Sequence, residues 1–98
     1  MESAYEQCLV REFSLADITF EIQKPIPIAY KGVQLDGGYR LDLLVENKII
    51  LEIKSIDKLL PIHEAQILTY MKFAHMPVGL LINFNVNKLI NGLKRYRI

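Results

Sequence analysis

Two charged side chains interrupt the most apolar stretch of the sequence. Glu52 and Lys54 lie in segment 49–55, whose other residues are three isoleucines, one leucine and one serine. Because side chains alternate between the two faces of a strand, Glu52 and Lys54 should share a face. A charge in such a run must reach solvent, pair with an opposite charge or bind a metal ion, since burying an unpaired charge is costly. The segment therefore predicts either an exposed ion pair or a chemical site.

Asp42 could bring a second carboxylate to the same place. It lies in the preceding apolar segment, residues 39–45. With a three-residue loop between the two strands, Val45 would face Ile49. Asp42 would then face Glu52, with Cβ atoms about 4.5–5.5 Å apart. A two-residue loop would instead point the two acids to opposite faces of the sheet. Because facing carboxylates repel each other unless a cation lies between them, the loop length decides whether a cation site exists.

The elements that must position these residues follow from apolar periodicity and from the prolines and glycines. In chain order, the prediction is a helix at 2–14, an edge strand at 20–30, strands at 39–45 and 49–55, a helix at 62–74 and a buried strand at 78–84. Gly32, Gly37 and Gly38 mark turn or bulge positions. Residues 93–98 predict a short edge strand or a frayed end. Because the strand after the second helix should pair parallel to an earlier one, the order predicts a small mixed α/β sheet.

Each helix carries a polar residue that could join the site. Glu2 shares a helical stripe with Tyr5 and Leu9, the side expected to face the core. The second helix is apolar on most sides. Gln66 lies on its predicted inward face, together with Ile62, Thr69, Tyr70 and Phe73. A glutamate in a first turn is also favoured by the helix dipole, and a glutamine on an apolar face is usually a hydrogen-bonded core residue. The residues alone leave both interpretations open.

Together these residues form a pattern that resembles the PD-(D/E)XK nuclease superfamily. The pattern is an acid in a first helix, Asp-x9-Glu-x-Lys across two strands, and Gln-x3-Tyr in the next helix. The residues that carry it are Glu2, Asp42, Glu52, Lys54, Gln66 and Tyr70. The resemblance is closer still to the GxxExxY branch, through residues 2–5, 35–42, 60–66 and 80–85, and it covers nearly the whole chain. That branch has a glycine three residues before the glutamate and usually a further helix ahead of it, so this sequence, which begins at Met1, resembles an N-terminally shortened member.

The resemblance implies a fold and an activity. The fold is a single restriction-endonuclease-like domain over residues 1–98, with an αβββαβ core and two helices flanking the small mixed sheet. The activity is a metal-dependent phosphodiesterase that hydrolyses nucleic acid, DNA rather than RNA, through metal-activated water. Asp42, Glu52 and the carbonyl of Ile53 would offer hard oxygen ligands, which suit Mg²⁺ or Mn²⁺. Glu2 would contact the metal through water or bind a second ion.

The same resemblance implies roles for the remaining polar residues. Lys54 would hold or activate the attacking water and stabilise the charge on phosphorus. Gln66 and Tyr70 would orient this lysine or contact the nucleic-acid backbone. The candidates for phosphate contacts are Lys58, Lys72, Lys94, Arg95 and Arg97. Tyr39, Arg40 and His63 either flank the site or are ordinary residues of their elements.

Composition limits the class of protein. Hydrophobic residues are 51% of the 98-residue chain and charged residues 23%, which favours a globular domain over disorder. No apolar run reaches the roughly 18 residues of a membrane span, and the first residues do not resemble a signal peptide. The single cysteine, Cys8, excludes an internal disulfide and a four-cysteine metal site, and we expect it in the core. A cytoplasmic protein is the resulting expectation.

The charge distribution leaves the partner open. Residues 1–53 carry five basic and nine acidic side chains, whereas residues 54–98 carry seven basic and two acidic ones. This asymmetry fits an acidic pocket beside a basic rim, or chance in a short chain. Two other functions fit the same fold: an inactive binding or interaction module, and a small homodimeric subunit whose partner supplies substrate binding.

Overall fold

A five-stranded mixed sheet lies between two helices in the part of the chain that the structure describes, residues 1–34 and 38–98. In this computed structural model the elements are α1 (Glu2–Leu15), β1 (Phe20–Tyr30), β2 (Val33–Val45), β3 (Ile49–Lys54), α2 (Pro61–Ala74), β4 (Val78–Asn83), a 3₁₀ turn (Leu89–Gly92) and β5 (Leu93–Arg97). The strands lie side by side in chain order, and β3 and β4 are parallel. None of the described helices has the length and apolarity needed to cross a membrane.

The predicted mixed α/β architecture and element order are confirmed. Strand β1 is an edge strand, and β5 pairs antiparallel to β4 at the opposite edge. Strand β2 begins at Val33 rather than at residue 39, because β1 and β2 form one long antiparallel hairpin. Gly32 lies in its turn with a φ of 79°, while Gly38, with a φ of 73°, lies inside β2. The turn or bulge predicted at Gly37 lies outside the described residues.

The loop between β2 and β3 has the three-residue length that the site hypothesis requires. Val45 pairs with Ile49 across the hairpin. Glu46 and Asn47 both adopt positive φ, 53° and 52°, and the Lys48 N–H donates to the Val45 carbonyl at 3.0 Å. Two successive left-handed residues match the twist of a hairpin, and asparagine tolerates this conformation well. The predicted register between these strands is therefore confirmed.

Side-chain alternation divides most apolar residues of the sheet between its two faces, except that Leu41 and Leu43, two residues apart, belong to opposite faces. On one face α2 packs, with the buried core Ile26, Leu41, Leu44, Ile50, Ile67, Tyr70, Met71 and Leu81. On the other face α1 packs, over the buried residues Leu43, Val45, Leu51, Ile53 and Ile82. Glu52 and Lys54 alternate with Leu51 and Ile53, so they belong to the face that α2 covers.

Helix α1 contacts the sheet through one side only. Tyr5, Leu9 and Phe13 pack on the sheet, and Tyr5 also stacks on Phe84 with ring centroids 4.5 Å apart. Cys8 is exposed, so the expectation of a core cysteine is wrong. The reason is geometric, because Cys8 lies about 100° around the helix from Leu9 and faces away from the sheet.

Helix α2 has a wider exposed face than its composition indicated. Its buried residues are Ile67, Tyr70 and Met71. Ile62 is 70% exposed and Phe73 is 37% exposed, so the expectation that both face inward in a nearly fully packed helix is wrong. The close contact with the sheet forms instead over Gly79, where a Cβ atom would lie 2.7 Å from the sulfur of Met71.

The close approach of the 3₁₀ turn to the end of β4 gives a test of the fold. A methyl group on Gly92 would overlap the backbone carbonyl oxygen of Asn83. We expect Gly92→Ala to lower the free energy of unfolding by about 1–3 kcal/mol, the usual cost of overpacking, in urea denaturation. The exposed neighbour supplies the control, Asn91→Ala, which should stay close to the wild type. Equal stability of the two variants would contradict this packing.

Candidate active site

Asp42 and Glu52 meet where the regular pairing of β2 with β3 ends. Beyond the Leu43–Leu51 pair, the Asp42 N–H donates to Glu52 Oε2 at 2.8 Å, and the Ile53 N–H donates to Asp42 Oδ2 at 2.8 Å. Each carboxylate thus accepts a backbone N–H of the opposite strand. In a regular sheet, a backbone carbonyl would accept that N–H. The reciprocal bonds hold both acids between the two strands.

Burial changes the acidity of both carboxyl groups. Glu52 is only 4% exposed, and burial together with the neighbouring Asp42 charge raises its pKa to about 8. Burial also raises the pKa of Asp42, although the hydrogen bond from Ile53 and the charge of Lys54 oppose this effect. The site therefore concentrates two acids in an environment that disfavours two negative charges.

Lys54, two residues after Glu52, carries a positive charge near this pair, and it forms no ion pair with any of the described residues. Its positive charge lowers the pKa of Asp42 and Glu52, yet within the described part of the chain no carboxylate oxygen lies within 4.0 Å of its ammonium group. Lys54 instead lines an open cleft beside the acids.

Glu2 ties α1 to the end of β3. Its carboxylate accepts the Ser55 N–H at 3.1 Å, so the expected orientation of this helical stripe toward the sheet is found. Its charge also raises the pKa of Asp42. Within residues 1–34 and 38–98, however, no three Asp, Glu, His or Cys side chains form a cluster that could hold a metal ion. The role of Glu2 as a metal ligand stays a prediction.

Two residues that sequence reasoning missed support the site. Asn83, 4% exposed, accepts the Ile56 N–H at 3.1 Å and donates to the Ile56 carbonyl at 2.9 Å, which anchors the loop after Lys54. Gln23 has a φ of 48° and donates to Glu6 at 3.2 Å, which joins β1 to α1 beside Asp42. A lone asparagine at the end of an apolar run was a signal for the first residue, and nothing in the sequence marked the second.

The cleft lies between α2 and the strands that carry the acids. It has a volume of about 540 Å³ and is lined by Tyr39, Lys54, Ile62, His63, Ala65, Gln66, Thr69 and Tyr70. Gln66 Nε2 donates to the Tyr70 hydroxyl at 2.7 Å. The structure thus brings Gln66 and Tyr70 into one cleft with Lys54, and it adds Tyr39 and His63.

Comparison with family models gave a match over nearly the whole chain. A family model described as the PD-(D/E)XK nuclease superfamily matches residues 1–96. The chain belongs to the PD-(D/E)XK nuclease superfamily. Comparisons with curated proteins and with solved structures gave no significant match.

The remaining candidate residues of this PD-(D/E)XK chain are dispersed. Lys58 is exposed in the loop after β3, and Lys72 lines a separate cavity of about 290 Å³ behind α2. Lys94 lies on the α2 face, where it pairs with Glu64 at 3.0 Å. Arg95 and Arg97 pair with Leu80 and Val78, positions on the α1 face. Of the predicted nucleic-acid contacts, only Tyr70 lines the cleft, and a continuous basic rim around it is not formed by these residues.

The donor set fits a divalent cation. PD-(D/E)XK nucleases generally use such ions, typically Mg²⁺. Asp42 and Glu52 supply hard carboxylate oxygens side by side. Because the N–H and C=O of a strand residue project to the same edge, the Ile53 carbonyl also faces β2, where its N–H bonds Asp42. Neither acid forms an ion pair with a described residue, and a bound cation would stabilise buried carboxylates in that arrangement.

The raised pKa of Glu52 predicts a pH-dependent stability. Between the ordinary value of 4.5 and about 8, the unfolded chain releases this proton while the folded chain keeps it. The free energy of unfolding should therefore fall as pH rises through this range, by up to a few kcal/mol. In EDTA, Glu52→Gln should raise the melting temperature at pH 8.5 much more than at pH 4.5.

The exposed Glu12 provides a matched variant for this experiment. Glu12→Gln removes one carboxylate from the solvent side of α1, and its melting temperature should follow that of the wild type across the same pH range. If Glu52→Gln changes the melting temperature equally at both pH values, the Glu52 carboxyl is not the buried acid described above.

Proposed function

We propose that this chain is a metal-dependent phosphodiesterase that hydrolyses DNA. The observation that carries the proposal is that Asp42 and Glu52 each accept a backbone N–H of the opposite strand where the ladder is interrupted. Lys54 lies on the face of Glu52 and forms no ion pair with any described residue. Three groups of this kind serve phosphodiester hydrolysis, because the acids can hold a cation and the lysine can hold a phosphate.

Asp42, Glu52 and the carbonyl of Ile53 would hold Mg²⁺ or Mn²⁺. When bound, the ion would lower the pKa of a water molecule and neutralise the charge that builds up on the phosphodiester. The chain's own contribution is to hold these oxygens apart from bulk solvent. The reciprocal N–H bonds fix the orientation of both carboxylates before any ligand arrives.

Lys54 would donate hydrogen bonds to the phosphate oxygens as negative charge develops on them. A compact ammonium group suits this task, since it carries three donors on a flexible stem. Gln66 uses its amide N–H₂ on the Tyr70 hydroxyl, which leaves its amide oxygen to accept from the lysine. Gln66 is thus proposed as a positioning residue for Lys54.

Two finer assignments belong to the same proposal. Membership of the GxxExxY branch is supported by the two motif residues of α1, because Glu2 bonds the end of β3 and Tyr5 stacks on Phe84 next to it. DNA is proposed over RNA from the resemblance to the nuclease superfamily alone. The assay therefore needs both polymers.

A non-catalytic binding module is the second candidate. The observation that favours it is the hydrogen bond of Glu2 with Ser55, which leaves two carboxylates of the described residues, rather than three, at the centre. Such a module would bind nucleic acid or a protein without cleaving it, as a monomer or as a homodimeric subunit of a larger complex. A solution mass near twice 11.3 kDa would favour the dimer.

Cleavage assays separate these functions. We expect the wild type to cleave labelled DNA in Mg²⁺ or Mn²⁺ and not in EDTA, with RNA as the parallel substrate. Lys54→Ala should lower the rate at least about 100-fold, the usual effect of losing one donor to the transition state. Circular dichroism verifies that the variant folds.

Lys48→Ala is the matched control, since Lys48 is exposed in the loop at the opposite end of β3. It should cleave like the wild type. If Lys54→Ala keeps the wild-type rate, the lysine has no part in the reaction. If the wild type binds DNA but cleaves neither polymer in either metal, the binding module is the better description.

A further inference from the structure

The cleft beside Lys54 has two exposed apolar side chains at its walls. Tyr39 on β2 is 41% exposed and Ile62 on α2 is 70% exposed, and both line the same space. None of the described residues that line it is acidic, and Lys54 supplies a positive charge. Large apolar side chains around a cleft with a few polar groups are typical of a binding site for a small organic group. A volume of about 540 Å³ is within the usual range for such sites.

Tyr39, the aromatic side chain in the wall of the cleft, packs against a second ring. The ring of Tyr39 lies 5.7 Å from that of Tyr70, at an angle of 54°. Tyr70 is buried at 5% exposure, and its hydroxyl accepts a hydrogen bond from Gln66. Tyr39 therefore rests on a fixed partner while much of its own surface stays open. An aromatic surface held in this way loses little conformational entropy when a second ring stacks on it.

Polar groups on α2 complete the lining. His63 Nδ1 accepts the Leu60 N–H at 2.9 Å, so the neutral ring carries its proton on Nε2 and keeps one donor. Thr69 donates its hydroxyl proton to the Ala65 carbonyl at 2.8 Å, so its oxygen keeps acceptor capacity. Flat aromatic surface, aliphatic surface and a few edge-directed polar groups together suit a heteroaromatic ring.

We propose that this cleft binds an unpaired base of single-stranded DNA, stacked on Tyr39, next to the phosphate that Lys54 contacts. The proposal rests on the function proposed above for the position of that phosphate, and it narrows the substrate to DNA with unpaired bases. In a duplex both faces of each base are stacked, so the pocket has no ring to accept. An exposed base presents its face to an aromatic side chain whatever its sequence, so the pocket selects single strands without selecting a sequence.

Binding in EDTA tests the pocket apart from catalysis. The probes are a labelled single strand of about 12 nucleotides, the same strand with abasic residues throughout, and the matching duplex. Fluorescence anisotropy should give the normal strand about 5- to 150-fold tighter binding than the abasic strand, the range expected for loss of base–aromatic stacking. The duplex should bind no better than the abasic strand.

Variants of Tyr39 identify the residue responsible. Tyr39→Leu keeps apolar bulk and should remove the advantage of the normal strand, whereas Tyr39→Phe should keep it. Tyr30→Leu is the matched control, because Tyr30 is 59% exposed on the same hairpin but does not line the cleft. Melting temperatures verify that all three variants fold.

The outcomes separate the pocket from the proposed activity. Equal binding of normal and abasic strands, equal losses in Tyr39→Leu and Tyr30→Leu, or no binding of any probe would overturn the pocket, even if the chain cleaves DNA. A base-dependent advantage that Tyr39→Leu removes would support the pocket, even if the chain proves unable to cleave. The phosphodiesterase assignment would fail in that second case.

Discussion

The turn between β2 and β3 sets the register on which the candidate site depends. Its three residues place Asp42 level with Glu52, and the reciprocal hydrogen bonds of their carboxylates to backbone N–H groups follow from that register. Thr19 supports the turn, because its carbonyl accepts the Glu46 N–H at 2.9 Å and its hydroxyl donates to the Glu46 carboxylate at 2.6 Å. Glu46 is thereby held at a positive φ that glutamate seldom adopts. A slip of one residue would turn one acid to the opposite face and abolish the pair.

Placing the two acids in the sheet lowers the stability of the fold. Two acids lie between strands where backbone carbonyls would otherwise complete the ladder, and burial disfavours their charged forms. The surrounding contacts offset this cost: Glu2 and Asn83 hold the chain just after Lys54, and the parallel pairing of β3 with β4 fixes the strand itself. These contacts fix the positions of the two acids, which is what the proposed site for a cation and a phosphate requires.

Much of the fold could be predicted because its elements have strong local signals. The prolines of β1 indicated an edge strand, and the apolar run of β4 indicated a buried one. The register could not be predicted, because residues 46–48 do not determine whether the loop between β2 and β3 has two or three residues. The inward face of α2 could not be predicted, because a helix that is apolar on most sides has no clear inward stripe. Its close contact over Gly79 determines which side is buried. The alternation of residues in the edge strand β5 does not determine which face carries Arg95 and Arg97, so their positions could not be predicted.

The most direct test of the central claim, that Asp42 and Glu52 share one cation site, is thermal unfolding of the wild type and Asp42→Asn with and without Mn²⁺. A ligand that binds only the folded state stabilises it by about 2.7 kcal/mol at 100 times its Kd. If the two acids share one cation site, Mn²⁺ should raise the melting temperature of the wild type but not that of Asp42→Asn, at a pH where both proteins are folded. An equal rise in both proteins, or no rise in the wild type at millimolar Mn²⁺, would contradict it.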